Sequence, residues 1–111
     1  MEFEYRLGGE SRKMLFDLGT LRLIGQHNKR EPMEGIDGLA AYEQVFSAVY
    51  CGMQREHKAR KAQFDISLDD VQDWVDSLST KDALEIIRAF NSAYLIEEAG
   101  EDVAEDSDKK K

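Results

Sequence analysis

The chain of 111 residues is long enough for one domain, with 41% hydrophobic residues, 34% charged residues and a net charge of −8. A net negative chain is unsuited to nucleic acid, whose phosphates require clustered Lys and Arg, and to anionic membrane surfaces. No apolar run approaches the roughly 20 residues of a membrane span, and no signal peptide is expected at the start. A single cysteine, Cys51, excludes an internal disulfide and is consistent with a reducing cytoplasm.

The N-terminal segment has the pattern of a β-hairpin. Residues 2–7 alternate polar and apolar side chains, which indicates a half-buried strand. Gly8 and Gly9 then indicate a turn, and a second short apolar segment follows at 13–16. The sequence therefore predicts two strands with a turn near residues 8–11, which must rest on helices because an isolated hairpin is marginally stable.

A first helix is predicted over about 18–27, with Asp17 as its N-cap. Spacings of three residues place a set of apolar side chains on one face, and we expect them to point inward: Leu18, Leu21 and Ile24. Residues 28–38 contain Asn, Pro and Gly residues, which predict a loop before the next helix.

The strongest helical pattern follows, with Asp37 as its predicted cap. Its apolar stripe recurs at spacings of three and four and consists of Leu39, Tyr42, Phe46, Val49 and Met53. Val45 and Tyr50 widen this stripe. The basic residues within 55–61 lie at its end, where cations suit the helix dipole, and we expect them to be solvated or to pair with the acidic segment 65–76.

Two further helices complete the predicted fold. Ser67 caps the third, in a pattern that resembles a capping box with Asp70. The apolar positions of this helix are Val71, Trp74, Val75 and Leu78. Ser79 or Thr80 caps the last helix, which is predicted to end near residue 97. Its broad apolar face consists of Ala83, Ile86, Ile87, Phe90, Ala93 and Tyr94.

The predicted fold is therefore α+β and mainly α, with an N-terminal two-stranded hairpin packed on about four helices within residues 1–97. The composition changes after this domain, since residues 97–111 hold seven acidic residues and three lysines. Segment 98–111 is an acidic tail that ends in Lys-Lys-Lys. We expect the tail to be disordered, because it cannot bury enough apolar surface to offset its ordering entropy.

The sequence predicts no catalytic, cofactor-binding or metal site. His27 and His57 are far apart, and neither has metal-ligand spacing with Cys51, which is expected to be a small core residue. Acidic residues within 65–76 match several positions of a calcium loop. However, Asp70 stands where that loop requires glycine, and the apolar pattern demands a helix there.

Surface contacts to a partner are predicted on the long helix instead. Tyr42, Phe46 and Tyr50 lie on its apolar stripe, which is broader than one packing face requires. Exposed aromatic patches usually mark interfaces between proteins. We therefore predict that these three side chains contact another polypeptide.

Four short segments follow the hairpin in a distinctive layout: 16–22 (Phe-Asp-Leu-Gly-Thr-Leu-Arg), 49–53 (Val-Tyr-Cys-Gly-Met), 67–75 (Ser-Leu-Asp-Asp-Val-Gln-Asp-Trp-Val) and 89–91 (Ala-Phe-Asn). In this layout, residues 3–95 resemble the tail assembly chaperones of long-tailed bacteriophages and prophages. The resemblance implies a non-enzymatic protein that binds the tape-measure protein and keeps it soluble. It also implies action in the bacterial host cytoplasm and absence from the mature virion.

Many members of that family also have a longer form, made by a −1 frameshift, whose added domain recruits the tail tube protein. The codons of Lys109, Lys110 and Lys111 are A-rich, as slippery sequences often are, although such a terminus equally serves as a solubilising charged end. The messenger sequence around these codons distinguishes the two interpretations. A homo-oligomer would also suit a protein that coats a long chain.

Two other classes of function are compatible with the sequence. An acidic regulator that occupies a basic, DNA-binding partner would account for the net charge of −8. Such binding would be sensitive to salt, whereas binding through apolar surface survives moderate salt. An enzyme is the third class, and it would require a deep pocket containing a buried carboxylate with a shifted pKa.

Overall fold

A computed structural model describes the backbone of residues 1–103 and the side chains of residues 1–95. It contains an N-terminal β-hairpin followed by four α-helices, which confirms the predicted α+β, mainly α fold. The elements are β1 (Glu2–Leu7), β2 (Glu10–Leu15), α1 (Leu18–Asn28), α2 (Ala41–Ala59), α3 (Leu68–Asp76) and α4 (Thr80–Val103), with a short 3-10 helix at Pro32–Glu34. Within the described residues, no helix combines the length and apolarity that crossing a bilayer requires.

The hairpin closes through a two-residue turn at the predicted place. Gly8 and Gly9 have φ angles of 61° and 83°, in the left-handed region that glycine adopts without a steric penalty. Gly8 also lies against the ring of Trp74, since a Cβ atom there would be 2.6 Å from the indole Cε2. The guanidinium of Arg12 covers the same ring at 4.1 Å from its centroid. These contacts hold the hairpin turn on α3.

Helix α2 is the centre of the fold and packs against β2, α1, α3 and α4. Its predicted stripe is confirmed at Val49 and Met53, which are buried in the core. Gly52 lies where α2 crosses the hairpin, and a Cβ atom there would be 2.8 Å from Phe16 Cε1 and 3.0 Å from Met14 Cβ. The absence of a side chain at this position therefore allows helix and hairpin to approach closely.

Asp17 is bonded to α1, α2 and α4, and its predicted role as a cap is confirmed. Its carboxylate accepts the Thr20 N–H at 3.1 Å, and the Thr20 side chain completes a capping box. The Arg55 Nε donates to the same carboxylate at 2.9 Å, and the Tyr94 hydroxyl donates to the Asp17 carbonyl at 2.9 Å. Partial burial opposes the charge, but the hydrogen bonds from Arg55 and Thr20 hold the pKa of Asp17 below its ordinary value.

We expect Asp17→Ala to lower the free energy of unfolding by about 1 to 2 kcal/mol at neutral pH, because an N-cap and an ion pair are lost. The folded-state pKa lies below the ordinary value of 3.8, so this stabilisation is present above pH 3.8 and is lost as the pH falls through the folded-state pKa. Urea unfolding at several pH values measures the effect. A difference between the two proteins that stays constant far below pH 3.8 would contradict it.

Two local predictions are wrong. Leu18 does not point inward but is 64% exposed, because the buried face of α1 is formed by Thr20, Leu21 and Ile24. Asp37 does not cap α2, because its N–H donates to Glu34 in a separate turn and Gly38 then leaves the helical conformation. The N-cap of α2 is Ala40, which makes no side-chain capping hydrogen bond.

The boundaries of the last two helices partly follow the prediction. Ser67 caps α3 by accepting the Asp70 N–H at 3.0 Å, but only this half of the capping box forms. Ser79 Oγ accepts the Asp82 N–H at 3.1 Å, which identifies Ser79 as the cap of α4.

The described part of helix α4 runs to Val103, past the predicted end near residue 97. Gly100 lies within it, since an interior glycine costs only about 1 kcal/mol relative to alanine and the flanking glutamates favour helix. The first residues of the predicted tail are therefore helical. Segment 104–111, with the three terminal lysines, lies outside the described residues.

Candidate functional site

An open apolar groove lies between the start of α2, the end of α3 and the first turns of α4. Its volume is about 490 Å³. Its lining is mainly apolar and includes Ala41, Val45, Val75, Leu78, Ala83, Leu84 and Ile87. We call this the α2–α4 groove. Grooves of this kind between helices are common binding sites for apolar ligands and for helices of other proteins.

Two large side chains at the edges of the α2–α4 groove remain accessible. Tyr42 on α2 is 41% exposed, and Leu84 on α4 is 48% exposed. On α2, Val45 and Phe46 are buried in the core, whereas Tyr42, one turn earlier, lies at the edge of the core. On α4, Ile86 is buried in the core and Leu84 faces outward. The chain thus places apolar surface at this groove without covering it.

The Tyr42 edge of the groove is acidic. Partial burial, a hydrogen bond to the Asp76 carboxylate and the nearby charges of Asp76, Glu43 and Asp73 raise the pKa of Tyr42 to about 12. All three acidic residues are exposed. Tyr42 therefore combines an apolar ring with a hydroxyl held in a negative environment, and such aromatic residues are frequent anchors of protein interfaces.

A second groove of about 560 Å³ lies between α1, the 3-10 segment and α4. Leu18, Met33 and Leu95 are exposed around it. We call this the α1–α4 groove. Its lining also includes Glu34 and Asp37, so that polar and apolar surface contribute almost equally.

No family model, no curated protein and no solved structure matches the chain. The choice between the two grooves therefore depends on their lining and on the residues that the sequence singles out. The α2–α4 groove is the more apolar of the two and includes Tyr42, one of the predicted contacts. We take it as the candidate functional site.

The predicted contact residues form one stack, but only one of them reaches the groove. Phe46 lies between Tyr42 and Tyr50, with ring centroids 6.3 Å and 5.5 Å away. Phe46 is 3% exposed, and Tyr50 is partly buried against Phe64. Tyr42 lines the groove. Phe46 packs against the Tyr42 ring from within the core, and Tyr50 lies at the far end of the stack, outside the groove lining.

Sequence reasoning missed Leu84 as a site residue. The main apolar stripe of α4 contains Ala83 and Ile87, and Leu84 lies beside it. A large apolar residue just outside the main stripe of an amphipathic helix is the signal that could have identified it.

The residues with potential for metal or nucleophilic chemistry are separated. Cys51 is buried, and burial raises the pKa of its thiol to about 12, which suppresses the reactive thiolate. The ring of His57 packs on Phe64 at 5.1 Å, and the ring of His27 packs on Phe46 at 5.6 Å. Among the described residues, no group of three or more His, Cys, Asp or Glu is arranged to hold a metal ion.

The two described carboxylates with shifted pKa values, Asp17 and Asp82, are both shifted downward, which favours the charged form and not the protonated form of a general acid. The Tyr5 hydroxyl lies 2.6 Å from Asp82 and 2.5 Å from Glu85. The hydrogen bond from Tyr5, aided by Ser79, lowers the pKa of Asp82. General-acid chemistry at neutral pH needs a carboxyl group whose pKa is raised.

The two arginines at the end of α2 form ion pairs with carboxylates outside the acidic segment 65–76. Arg55 pairs with Asp17 at 2.9 Å, and Arg60 pairs with Glu56 at 2.9 Å. The expected pairing is wrong for these two residues because closer carboxylates, one of them a single helical turn away, are available.

Proposed function

We propose that the protein is a tail assembly chaperone of a long-tailed bacteriophage, which binds the tape-measure protein in the α2–α4 groove. The observation that carries the proposal is the uncovered apolar groove itself, with Tyr42 and Leu84 at its edges. The resemblance of residues 3–95 to such chaperones names the class of partner. The protein would act in the bacterial host cytoplasm and be absent from the mature virion.

The physical logic is that of a passive holding protein. A tape-measure protein is long and largely helical, and its amphipathic helices aggregate when their apolar faces are exposed. A groove between helices accepts such a face by helix-in-groove packing. Many copies bound along one chain add avidity, and binding of the aggregation-prone state by mass action requires no nucleotide. The net charge of −8 would keep the coated complex soluble.

Co-expression tests this function. The tape-measure protein encoded in the same tail gene cluster is produced with or without the chain, and its soluble fraction is compared. We expect the chain to increase that fraction several-fold and to co-purify with the tape-measure protein. An unrelated acidic protein of similar size serves as the control. Failure of both rescue and co-purification would overturn the proposal.

The acidic regulator of a basic, DNA-binding partner remains the second candidate function. The negative edge formed by Glu43, Asp73 and Asp76 favours it. Binding that depends mainly on charge is expected to disappear as salt is raised, whereas apolar binding in the groove persists. Co-purification at low and high salt therefore separates the two functions.

A further inference from the structure

The charges around the α2–α4 groove are not evenly distributed. Asp76 lines the groove at the end of α3, and Asp73 lies one turn before it. With Glu43, which follows Tyr42 on α2, these carboxylates form an acidic edge beside Tyr42. The salt bridges formed by the described residues involve none of these three carboxylates. Among the residues whose side chains are described, no cation forms a salt bridge with the acidic edge.

The opposite edge of the groove carries positive charge. Lys81 and Arg88 are exposed on α4, and helical spacing places both beyond Leu84, on the side away from the core. A ligand in the groove would thus have carboxylates on one flank and cations on the other. This asymmetry distinguishes the two directions in which an amphipathic helix can lie with its apolar stripe in the groove.

The lining of the groove determines what kind of element fits between these edges. Three helices form its walls, and its volume of about 490 Å³ suits a few large side chains from one or two turns of a helix. Leucine-like anchors at helical spacings would contact Val75, Leu84 and Ile87, and residues next to that stripe would reach the edges.

We propose that the α2–α4 groove takes an amphipathic helix whose apolar stripe is bordered on one side by Lys or Arg, which pairs with Asp73, Asp76 and Glu43. This inference rests on the proposed function and adds the chemistry of the tape-measure segments that the protein holds. Apolar contacts supply most of the affinity. The cations set the direction of the bound helix and favour basic-bordered segments over segments with uncharged borders.

Two synthetic peptides test the selection. Both carry the same leucine stripe, and one has lysines bordering it on one side where the other has glutamines. Fluorescence anisotropy with the full chain measures both dissociation constants. We expect the lysine peptide to bind about tenfold more tightly, since a few exposed ion pairs form with the acidic edge. Equal affinities, or tighter binding of the glutamine peptide, would overturn the proposal.

A pair of double variants identifies the carboxylates responsible. Asp73→Asn with Asp76→Asn should remove most of the preference for the lysine peptide while binding of the glutamine peptide does not weaken. Asp69→Asn with Asp70→Asn removes the same charge from the first turn of α3, at the end of the helix away from Asp76, and should retain the preference. Circular dichroism confirms that both fold. If the two double variants had equal effects, the preference would depend on net charge and not on the acidic edge, and the proposal would be overturned.

The tape-measure protein separates failure of this inference from failure of the proposed function. Equal capture by the wild type and by the Asp73→Asn, Asp76→Asn variant would overturn the inference and leave the function standing. Loss of capture with both proteins would overturn the function. Sedimentation of the chain alone tests whether a second copy of the chain occupies the groove. A dimer that the Leu84→Asp substitution dissociates would show that it does, and would overturn the proposal.

Discussion

Leu84→Asp is expected to weaken binding of the tape-measure protein by about 30-fold or more, which corresponds to about 2 kcal/mol. Leu84 is 48% exposed at the edge of the α2–α4 groove, so it is available to a partner and contributes little to the core. A carboxylate there would have to lose its hydration when an apolar helix covers it. Titration of the purified chain against an immobilised tape-measure fragment measures the change.

Leu18→Asp is the matched control for this prediction. It makes the same substitution at an exposed leucine of the α1–α4 groove, and a carboxylate in the first turn of α1 is favourable for the helix. We expect this variant to bind normally. If Leu18→Asp weakened binding and Leu84→Asp did not, the functional surface would be the α1–α4 groove and the assignment made above would be wrong.

Local signals in the sequence predict the elements of this fold because they act over a few residues. The alternation of residues 2–7 and the glycines at 8 and 9 are sufficient to predict the hairpin and its turn. Asp17 and Ser67 cap helices through N–H groups three residues away, so their roles are also predictable. The helical repeat likewise identifies the large apolar side chains on the buried face of α2.

Predictions that depend on packing between elements are less successful. The repeat cannot distinguish Leu18 from Leu21 and Ile24, because the edge of a buried face is set by the neighbouring element. The Arg55–Asp17 pair joins residues 38 positions apart, and no local pattern links them. In both cases, the three-dimensional neighbourhood decides the outcome.

The candidate site also depends on packing between elements. Tyr42, Val75 and Leu84 belong to three different helices, and their convergence follows from how α3 and α4 pack on α2. The sequence shows that α2 has more aromatic surface than one packing face requires. It does not show that Phe46 would be buried while Tyr42 stays accessible, since that depends on where the end of α3 lies.

The packing of α2 also determines the prediction with the largest effect on stability. We expect Gly52→Val to lower the free energy of unfolding by about 3 kcal/mol, a large part of the roughly 5–15 kcal/mol typical of a domain. The Cβ atom alone would be 2.8 Å from Phe16 Cε1 and 3.0 Å from Met14 Cβ, and the two methyl groups add further overlap. Urea unfolding followed by circular dichroism measures the loss.

Alanine substitutions at two helical glycines, Gly19 and Gly52, distinguish the effect of this overlap on stability from the effect of helix propensity. Each gains about 1 kcal/mol of intrinsic helix preference. At Gly19 the new Cβ atom meets the end of the Arg55 side chain, which can move, so Gly19→Ala should remain within about 1 kcal/mol of the wild type. At Gly52 it meets Phe16 and the Cβ of Met14, so the hairpin itself must shift away from α2. A Gly52→Ala protein as stable as Gly19→Ala would show that the helix and the hairpin are not in close contact there.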